Sequence, residues 1–297
     1  MASLNYSLRG NIAVLDGKGV AKINGTNGID AVDFSQIGHA VWFDAAYFGS
    51  AYPGSNHQAW TRDFITVVDS PDLPSKNPWR PIADVANVHK FIGSGYDDYI
   101  AGDDANDTFL FNGSYVPGGD NHWDGRGGVN TADFSLAQYA VWVDLNFNDP
   151  HYWGNHQAFT QHRTDLKGPV SSWIEIADIT NVQNLVGSQY DDYLYGKYDT
   201  GVLDGGKGND QLFGGGKHNT FVFNNNNDGF GHDVVKDFYV TSRLEFDNTD
   251  WRSAADVLAH ARQIGSDVVI TLDDHSSVTL EYVRLTTLTA HPEVFVV

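Results

Sequence analysis

The chain of 297 residues has no cysteine and a single methionine. The lack of cysteine excludes disulfide bonds, thiolate metal sites and cysteine nucleophiles. Basic residues are scarce as well, because 18 Lys and Arg stand against 38 Asp and Glu and leave a net charge of −20. Nucleic acid requires a basic surface and an anionic membrane would repel this chain, so we expect neither as a partner.

Long apolar runs are also missing. No stretch approaches the roughly 18 consecutive apolar residues of a membrane-spanning helix. The first residues, MASLNYSLRGNIAVLDGKG, contain no apolar segment typical of a Sec signal peptide. We therefore expect no membrane span, and either a cytoplasmic chain or export by a route that needs no N-terminal signal.

Glycine, by contrast, is abundant at 31 residues, and many glycines lie beside Asp or Asn. An excess of acidic side chains either keeps a surface soluble or binds cations. Glycine beside Asp favours cation binding, because glycine lets the backbone turn sharply and direct its carbonyl oxygens at an ion.

The sequence repeats itself at an offset of about a hundred residues. Three segments of the first copy return in the second: DFSQIGHAVWFD (33–44) as DFSLAQYAVWVD (133–144), NHQAW (56–60) as NHQAF (155–159), and IADVANVHKFIGSGYDDYIAG (82–102) as IADITNVQNLVGSQYDDYLYG (176–196). A duplicated unit followed by a cap is therefore predicted. The predicted parts are an N-terminal segment (1–24), a first copy (25–124) with an insert (45–80), a second copy (125–228) with an insert (145–174), and a C-terminal cap (229–297).

Within the second copy, the chain divides from Gly187 into rows of nine residues: GSQYDDYLY, GKYDTGVLD, GGKGNDQLF and GGGKHNTFV. The third row fits GGxGxDxUx throughout, where U is a large apolar residue. The glycines permit positive φ, the Asp supplies a hard oxygen for calcium, and x-U-x is a short strand with one side chain facing a narrow core. The first copy has two related rows, GSGYDDYIA (93–101) and GDDANDTFL (102–110).

These rows resemble the RTX (repeats-in-toxin) family of proteins exported by type I secretion. The resemblance implies an all-β, calcium-binding parallel β-roll in which two rows make one turn and each ion lies between loops two rows apart. It covers about two thirds of the chain and includes GFGHDVVKDF (229–238), similar to a segment that follows the rows in that family. The cap is predicted to contain one short helix (253–263) followed by strands.

The resemblance also implies several calcium ions and their ligands. Asp192 and Asp210, in the first and third rows, are expected to share one ion. Gly201 and Asn219 stand at the Asp position of the second and fourth rows, which weakens the case for an ion between those rows. The expected metal-binding residues are Asp192, Asp210, Gly187, Gly205, Gly206, Gly208, Asn219, Asp98, Asp107, Asp233 and Asp237.

The two inserts are not explained by the resemblance. They are rich in aromatic residues, and each contains Asn-His-Gln. Aromatic rings stack on the apolar faces of sugars and amides orient hydroxyl groups, which favours a polysaccharide site. In the alternative, the rings form the small core of a long loop and the amides satisfy backbone groups. The candidate ligand-binding residues are Asn56, His57, Gln58, Trp60, Trp79, Asn155, His156, Gln157, Phe159 and Trp173.

Two familiar catalytic patterns, the HExxH of zinc proteases and the GxSxG of serine hydrolases, do not occur. We predict a secreted, calcium-dependent protein that binds extracellular polysaccharide through the inserts and has the type I secretion machinery as a partner. Two alternatives stay open: a polysaccharide lyase, epimerase or glycoside hydrolase whose active site the inserts form, with His57 and His156 as candidate catalytic residues, and a calcium-folded spacer. Repulsion among the Asp loops predicts a largely disordered chain without calcium.

Overall fold

The computed structural model describes residues 6–46, 58–62, 79–113, 121–147, 157–161, 173–197, 200–226 and 229–297. Its regular structure is almost entirely β, with 26 short strands and two short α-helices in these ranges. The chain divides into two compact units, Met1–Asn130 with Ile176–Asn181 and Thr131–Glu175 with Val182–Val297.

The first unit contains two sheets. Its strands are β1 (Ser7–Arg9), β2 (Ile12–Val14), β3 (Ala21–Asn24), β4 (Ala31–Asp33), β5 (Val41–Asp44), β6 (Ala59–Arg62), β7 (Trp79–Ala86), β8 (Lys90–Ile92), β9 (Tyr99–Ala101), β10 (Thr108–Leu110) and β11 (Asn121–Asp124). One sheet has the order β1-β2-β4-β8-β10 and is parallel from β2 onward. The other has the order β11-β9-β5-β6-β7-β3, in which β6 is antiparallel to both neighbours. A 3-10 helix (Gly25–Asn27) follows β3.

The second unit also contains two sheets. Its strands are β12 (Thr131–Asp133), β13 (Val141–Asp144), β14 (Ala158–Gln161), β15 (Trp173–Thr180), β16 (Asn184–Val186), β17 (Tyr193–Tyr195), β18 (Val202–Asp204), β19 (Gln211–Phe213), β20 (Thr220–Asn224), β21 (Gly231–Val235), β22 (Arg243–Asp247), β23 (Ala261–Ile264), β24 (Asp267–Thr271), β25 (Ser276–Leu280) and β26 (Phe295–Val296). The latter part of β15 belongs to the first unit, where it pairs with β11. One sheet is parallel throughout, in the order β12-β16-β18-β20-β22-β26. The other has the order β14-β13-β17-β19-β21-β25-β24-β23 and is parallel from β13 to β25.

The short strands of the second unit follow the nine-residue rows. The middle residue of each strand is fully buried, as at Leu185, Leu194, Leu203 and Leu212, and its two neighbours are partly exposed. Successive strands alternate between the two sheets, so each pairs in parallel with the strand two rows away. Paired residues are therefore 18 apart, as Leu194 and Leu212 are. This register is that of a parallel β-roll and confirms the predicted fold class.

The core of the first unit is aromatic. Phe91 lies 4.6 Å from Phe43 and 6.1 Å from Phe109, and Phe109 lies 6.1 Å from Trp123, measured between ring centroids. All four rings are buried. Because Phe91 and Phe109 belong to one sheet and Phe43 and Trp123 to the other, these contacts hold the two sheets together, and each ring pair contributes about 1 kcal/mol beyond area burial.

Each insert contributes a strand that folds back on the strand before it. β6 pairs with β5 and places Trp60 opposite Trp42, and β14 pairs with β13 and places Phe159 opposite Trp142. Four residues are too few to show the alternating apolar pattern of a strand, so the sequence does not locate β6 or β14 within its insert. These hairpins position the aromatic residues described below.

The C-terminal cap differs in part from the expectation of one helix over 253–263. Helix α1 (Ala254–Ala259) is capped by the Ser253 side chain and ends early, because β23 begins at Ala261 and pairs with β24. A second helix, α2 (Leu285–Ala290), was not predicted, since its β-branched threonines have low helix propensity. Burial of Leu288 stabilises α2 instead. Neither α1 nor α2 approaches the length or the apolar character required to span a bilayer, and the same holds for the rest of the described chain.

Candidate metal centres and ligand-binding faces

Three buried aspartates, Asp192, Asp210 and Asp233, succeed one another along the second unit. We call them the carboxylate ladder. Asp210 Oδ1 accepts a hydrogen bond from the Asp192 backbone N–H at 2.7 Å, and Asp233 Oδ1 accepts one from Asp210 N–H at 3.0 Å. Asp192 Oδ1 in turn accepts from Val141 N–H at 2.7 Å. Each carboxylate therefore accepts a backbone N–H from an earlier part of the chain. These hydrogen bonds bring three like charges close together.

The carboxylate ladder is electrostatically costly. Burial raises the pKa of Asp192 to about 7, against the opposing effect of hydrogen bonds from Val141 and Ser188. Burial also raises the pKa of Asp210, with repulsion from Asp233 as the next cause, and burial raises the pKa of Asp233. Asp210 Oδ2 is buried and accepts no hydrogen bond from the described residues. Buried carboxylates in this situation require protons or a cation.

The loops beside the carboxylate ladder fit calcium. Gly206 has a φ of +87°, and a side chain there would clash with the carbonyl oxygen of Ser188. Gly208 has a φ of +117°, and a Cβ there would lie 2.5 Å from the carbonyl oxygen of Tyr190. A Cβ at Gly187 would likewise clash with the carbonyl oxygen of Gly205. Carbonyl oxygens thus lie against glycines two rows away, and the Cβ added at Gly187 would also lie 2.5 Å from Asp192 Oδ2. Carbonyl and carboxylate oxygens are the hard donors that suit calcium.

In the alternate rows of the second unit, the Asp position holds Gly201 and Asn219. Asn219 Oδ1 accepts the Gly201 N–H at 2.8 Å. The amide makes the same backbone hydrogen bond as Asp210 without burying a charge. Asp237 accepts the N–H groups of Gly214 and Gly215 at 2.7 and 2.9 Å.

In the first unit, Asp98 and Asp107 pair with asparagines that the sequence analysis missed. Asp98 N–H donates to Asn121 Oδ1 at 3.2 Å, and Asp107 N–H donates to Asn130 Oδ1 at 2.8 Å. Both pairs are 23 residues apart rather than 18, so the nine-residue phase does not reveal them. The pattern Gly-Gly-x-Asn, present in GGDN and GGVN, could have done so. Burial raises the pKa of Asp98 to about 7.

The two glutamines of the repeated pentapeptide are buried and bind the backbone. Gln58 Oε1 accepts the Val85 N–H at 3.0 Å, and Gln157 Nε2 donates to the Phe147 carbonyl oxygen at 3.0 Å. The described geometry therefore gives both side chains a structural role. The residues Asn56, His57, Asn155 and His156 lie outside the described residues, as does the side chain of Trp79.

A row of parallel rings covers the outer face of one sheet in the first unit. Trp42 stacks on Tyr99 with centroids 6.0 Å apart, and Tyr99 stacks on His122 with centroids 5.0 Å apart. Trp60 lies opposite Trp42 across the hairpin. These rings are half-exposed, whereas the residues that follow Trp42 and Tyr99 point into the core. The first unit therefore presents an aromatic face beside its insert.

The second unit has an aromatic face at the equivalent position of the repeat. Trp142 lies 5.1 Å from Phe159 and 5.5 Å from Phe147, between ring centroids. Tyr195 stacks on Phe213 at 4.0 Å. A further ring, Trp173, is 37% exposed and meets Tyr193 edge-on at 6.3 Å. Half-exposed aromatic rings are thus found beside both inserts.

No protein-family model and no curated protein matches the sequence. Among solved structures, the chain is similar to the extracellular lipase LipA from Serratia marcescens, with 21% sequence identity and a TM-score of 0.29. The similarity covers 71% of this chain and 41% of the lipase, so the chain spans less than half of the lipase's length. The β-roll assignment rests on the strand register given above.

Proposed function

We propose that this chain is a calcium-dependent β-roll protein of the RTX type that is exported by type I secretion and binds extracellular polysaccharide. The observation that carries the proposal is the carboxylate ladder, in which three buried carboxylates lie in succession and one oxygen, Asp210 Oδ2, has no hydrogen-bond donor among the described residues. A divalent cation neutralises two such charges at once and accepts the free oxygen as a ligand.

In this proposal Asp192 and Asp210, with loop carbonyl oxygens such as those of Ser188 and Tyr190, hold calcium. The ion supplies the positive charge that the buried carboxylates lack. Where calcium is scarce, the ionised ladder opposes folding, and in a calcium-rich extracellular medium the binding free energy becomes folding free energy. A chain with this property stays unfolded until it has been exported.

The aromatic faces support the polysaccharide part of the proposal. The half-exposed rings of Trp42 and Trp142 occupy matching positions in the two copies, and each lies next to an insert. Rings of this kind pack against the apolar faces of pyranose sugars. The net charge of −20 favours neutral polysaccharides, except where bound calcium bridges to uronate groups.

The test is proton NMR of a panel of neutral and acidic polysaccharides mixed with the calcium-loaded protein. We expect the sugar lines to broaden without new signals, and the broadening to weaken in Trp42→Ala and Trp142→Ala. Tyr282→Ala is the control, because Tyr282 is 81% exposed and lies far along the chain from both faces. New olefinic or reducing-end signals would instead assign an enzyme, and unchanged spectra across the panel would refute polysaccharide binding.

A further inference from the structure

Three side chains of the first unit converge on one point without belonging to the carboxylate ladder. His89 Nδ1 lies 3.1 Å from Asp107 Oδ1 and 3.9 Å from Asp103 Oδ1. One ligand atom from each of the three residues lies within 4.8 Å of the others. Neither His89 nor Asp103 was identified from the sequence.

The backbone holds these three side chains in place. His89 and Asp107 immediately precede the paired strands β8 and β10, and the His89 carbonyl oxygen accepts the Thr108 N–H at 2.8 Å. Asp107 Oδ2 accepts the Asp103 N–H at 2.9 Å, and Asp103 Oδ1 accepts the Ala105 N–H at 2.7 Å. The convergence therefore follows from strand register and from the loop before β10, and does not depend on freely rotating surface side chains.

The position of His89 in the repeat indicates which metal ion the site prefers. It precedes Asp107 by 18 residues, the separation at which Asp192 and Asp210 of the second unit form the carboxylate ladder. An imidazole nitrogen thus stands where a calcium-binding row has a carboxylate. Calcium takes oxygen ligands, whereas imidazole together with carboxylates suits zinc and neighbouring transition ions.

We infer that His89, Asp103 and Asp107 bind a divalent transition ion of the zinc class, at a site distinct from the carboxylate ladder. Ligands of a tetrahedral zinc ion lie about 3.4 Å apart, and the 3.1 and 3.9 Å separations bracket this value. The Asp107 side chain is fully buried, while those of His89 and Asp103 are 40% and 35% exposed. The fourth coordination position therefore faces solvent and is open to water or another ligand.

The second copy provides an internal control for this site. The offset of 94 residues places Gln183, Lys197 and Gly201 at the positions of His89, Asp103 and Asp107. None of these three side chains is a zinc ligand, although the same offset carries Asp98 onto Asp192. The site is therefore specific to the first copy, and the second copy shows that the β-roll accepts Gln and Lys at the first two positions.

The experiment is calorimetric titration of the full chain with zinc in a buffer that holds millimolar calcium, so that the β-roll is folded. His89→Gln and Asp103→Lys install the residues of the second copy. We expect each variant to lose one zinc equivalent relative to the unmodified chain, or to bind it at least about 100-fold more weakly. His122→Gln is the matched control, since His122 Nδ1 also lies near a carboxylate, 3.9 Å from Asp178, and its loss should leave the titration unchanged.

Cobalt in place of zinc gives a second readout, because a cobalt ion held by one imidazole and two carboxylates absorbs visible light. We expect His89→Gln to abolish this absorption. Because the chain has 12 histidines, the difference in absorption between the unmodified chain and His89→Gln assigns the signal to this site. An identical zinc titration for His89→Gln, Asp103→Lys and the unmodified chain would overturn the inference. Displacement of the bound zinc by further calcium would overturn it as well, because the site would then be a calcium site.

Discussion

Once calcium is removed, the stability of the protein should fall as the pH rises. Burial raises the pKa of Asp98 in the first unit and of Asp192 in the second to about 7, from an ordinary value of 3.8. A carboxyl group with a raised pKa binds its proton more tightly in the folded chain than in the unfolded chain. Its contribution is therefore fully present below about pH 4 and is lost as the pH rises through 7.

The size of the effect follows from the same two pKa values. A change from 3.8 to about 7 corresponds to about 4 kcal/mol for each group once it is ionised. About 3 kcal/mol of this is lost between pH 5 and pH 8. Since a domain is stable by roughly 5–15 kcal/mol, one such group removes a large part of the total, and Asp210 and Asp233 add to the loss in the second unit.

The assay is urea denaturation followed by circular dichroism at pH 5 and pH 8, with chelator or with millimolar calcium. With chelator, we expect the urea midpoint to be lower at pH 8 by roughly 1 M or more, or the chain to be unfolded there before urea is added. Calcium should restore stability at pH 8 and have a smaller effect at pH 5. Equal midpoints at both pH values in chelator would refute the electrostatic reasoning.

Two further predictions concern the carboxylate ladder and its loops. Asp210→Asn keeps the acceptor for the backbone N–H, as Asn219 does, but removes a buried charge. It should therefore stabilise the chelated protein at pH 8 and destabilise the calcium-loaded protein. A chelator titration at fixed urea checks both signs, and a loss of stability in both states would contradict the account. Gly208→Ala should destabilise the folded protein by at least about 2 kcal/mol, because it combines a φ of +117° with a Cβ only 2.5 Å from the carbonyl oxygen of Tyr190. Gly10→Ala is its control in thermal unfolding, since Gly10 has a φ of +62° but a Cβ added there would meet no atom within 4 Å. An equal loss in both variants would show that close packing at Gly208 is unimportant.

Much of the fold could be predicted from the sequence because a nine-residue period specifies both the strand and its register. Leu194, Leu203 and Leu212 occupy the apolar position of successive rows, and each is fully buried. The partners of Asp98 and Asp107 could not be found in the same way. Their loops are five residues longer than two rows, and a periodic pattern carries no information across such an insertion.

The candidate sites were less predictable than the fold. The glutamine amide shared by both copies of the pentapeptide is compatible with ligand contact and with backbone binding, and only the structure shows Gln58 bonded to Val85 N–H. The sequence signal for His89 is its separation of 18 residues from Asp107, which is visible only if the row before Gly93 is included. The structure shows that the two side chains meet. Polysaccharide binding through the inserts is a proposal, and His57 and His156 stay predictions.

We propose that calcium binding and folding of the β-roll depend on each other. Native mass spectrometry at neutral pH measures both together, since the mass counts bound ions and the charge-state distribution reports compactness. We expect calcium-loaded chains with few charges, and loss of the ions in chelator accompanied by a shift to the highly charged distribution of an unfolded chain. A compact, calcium-free chain at neutral pH would contradict the account.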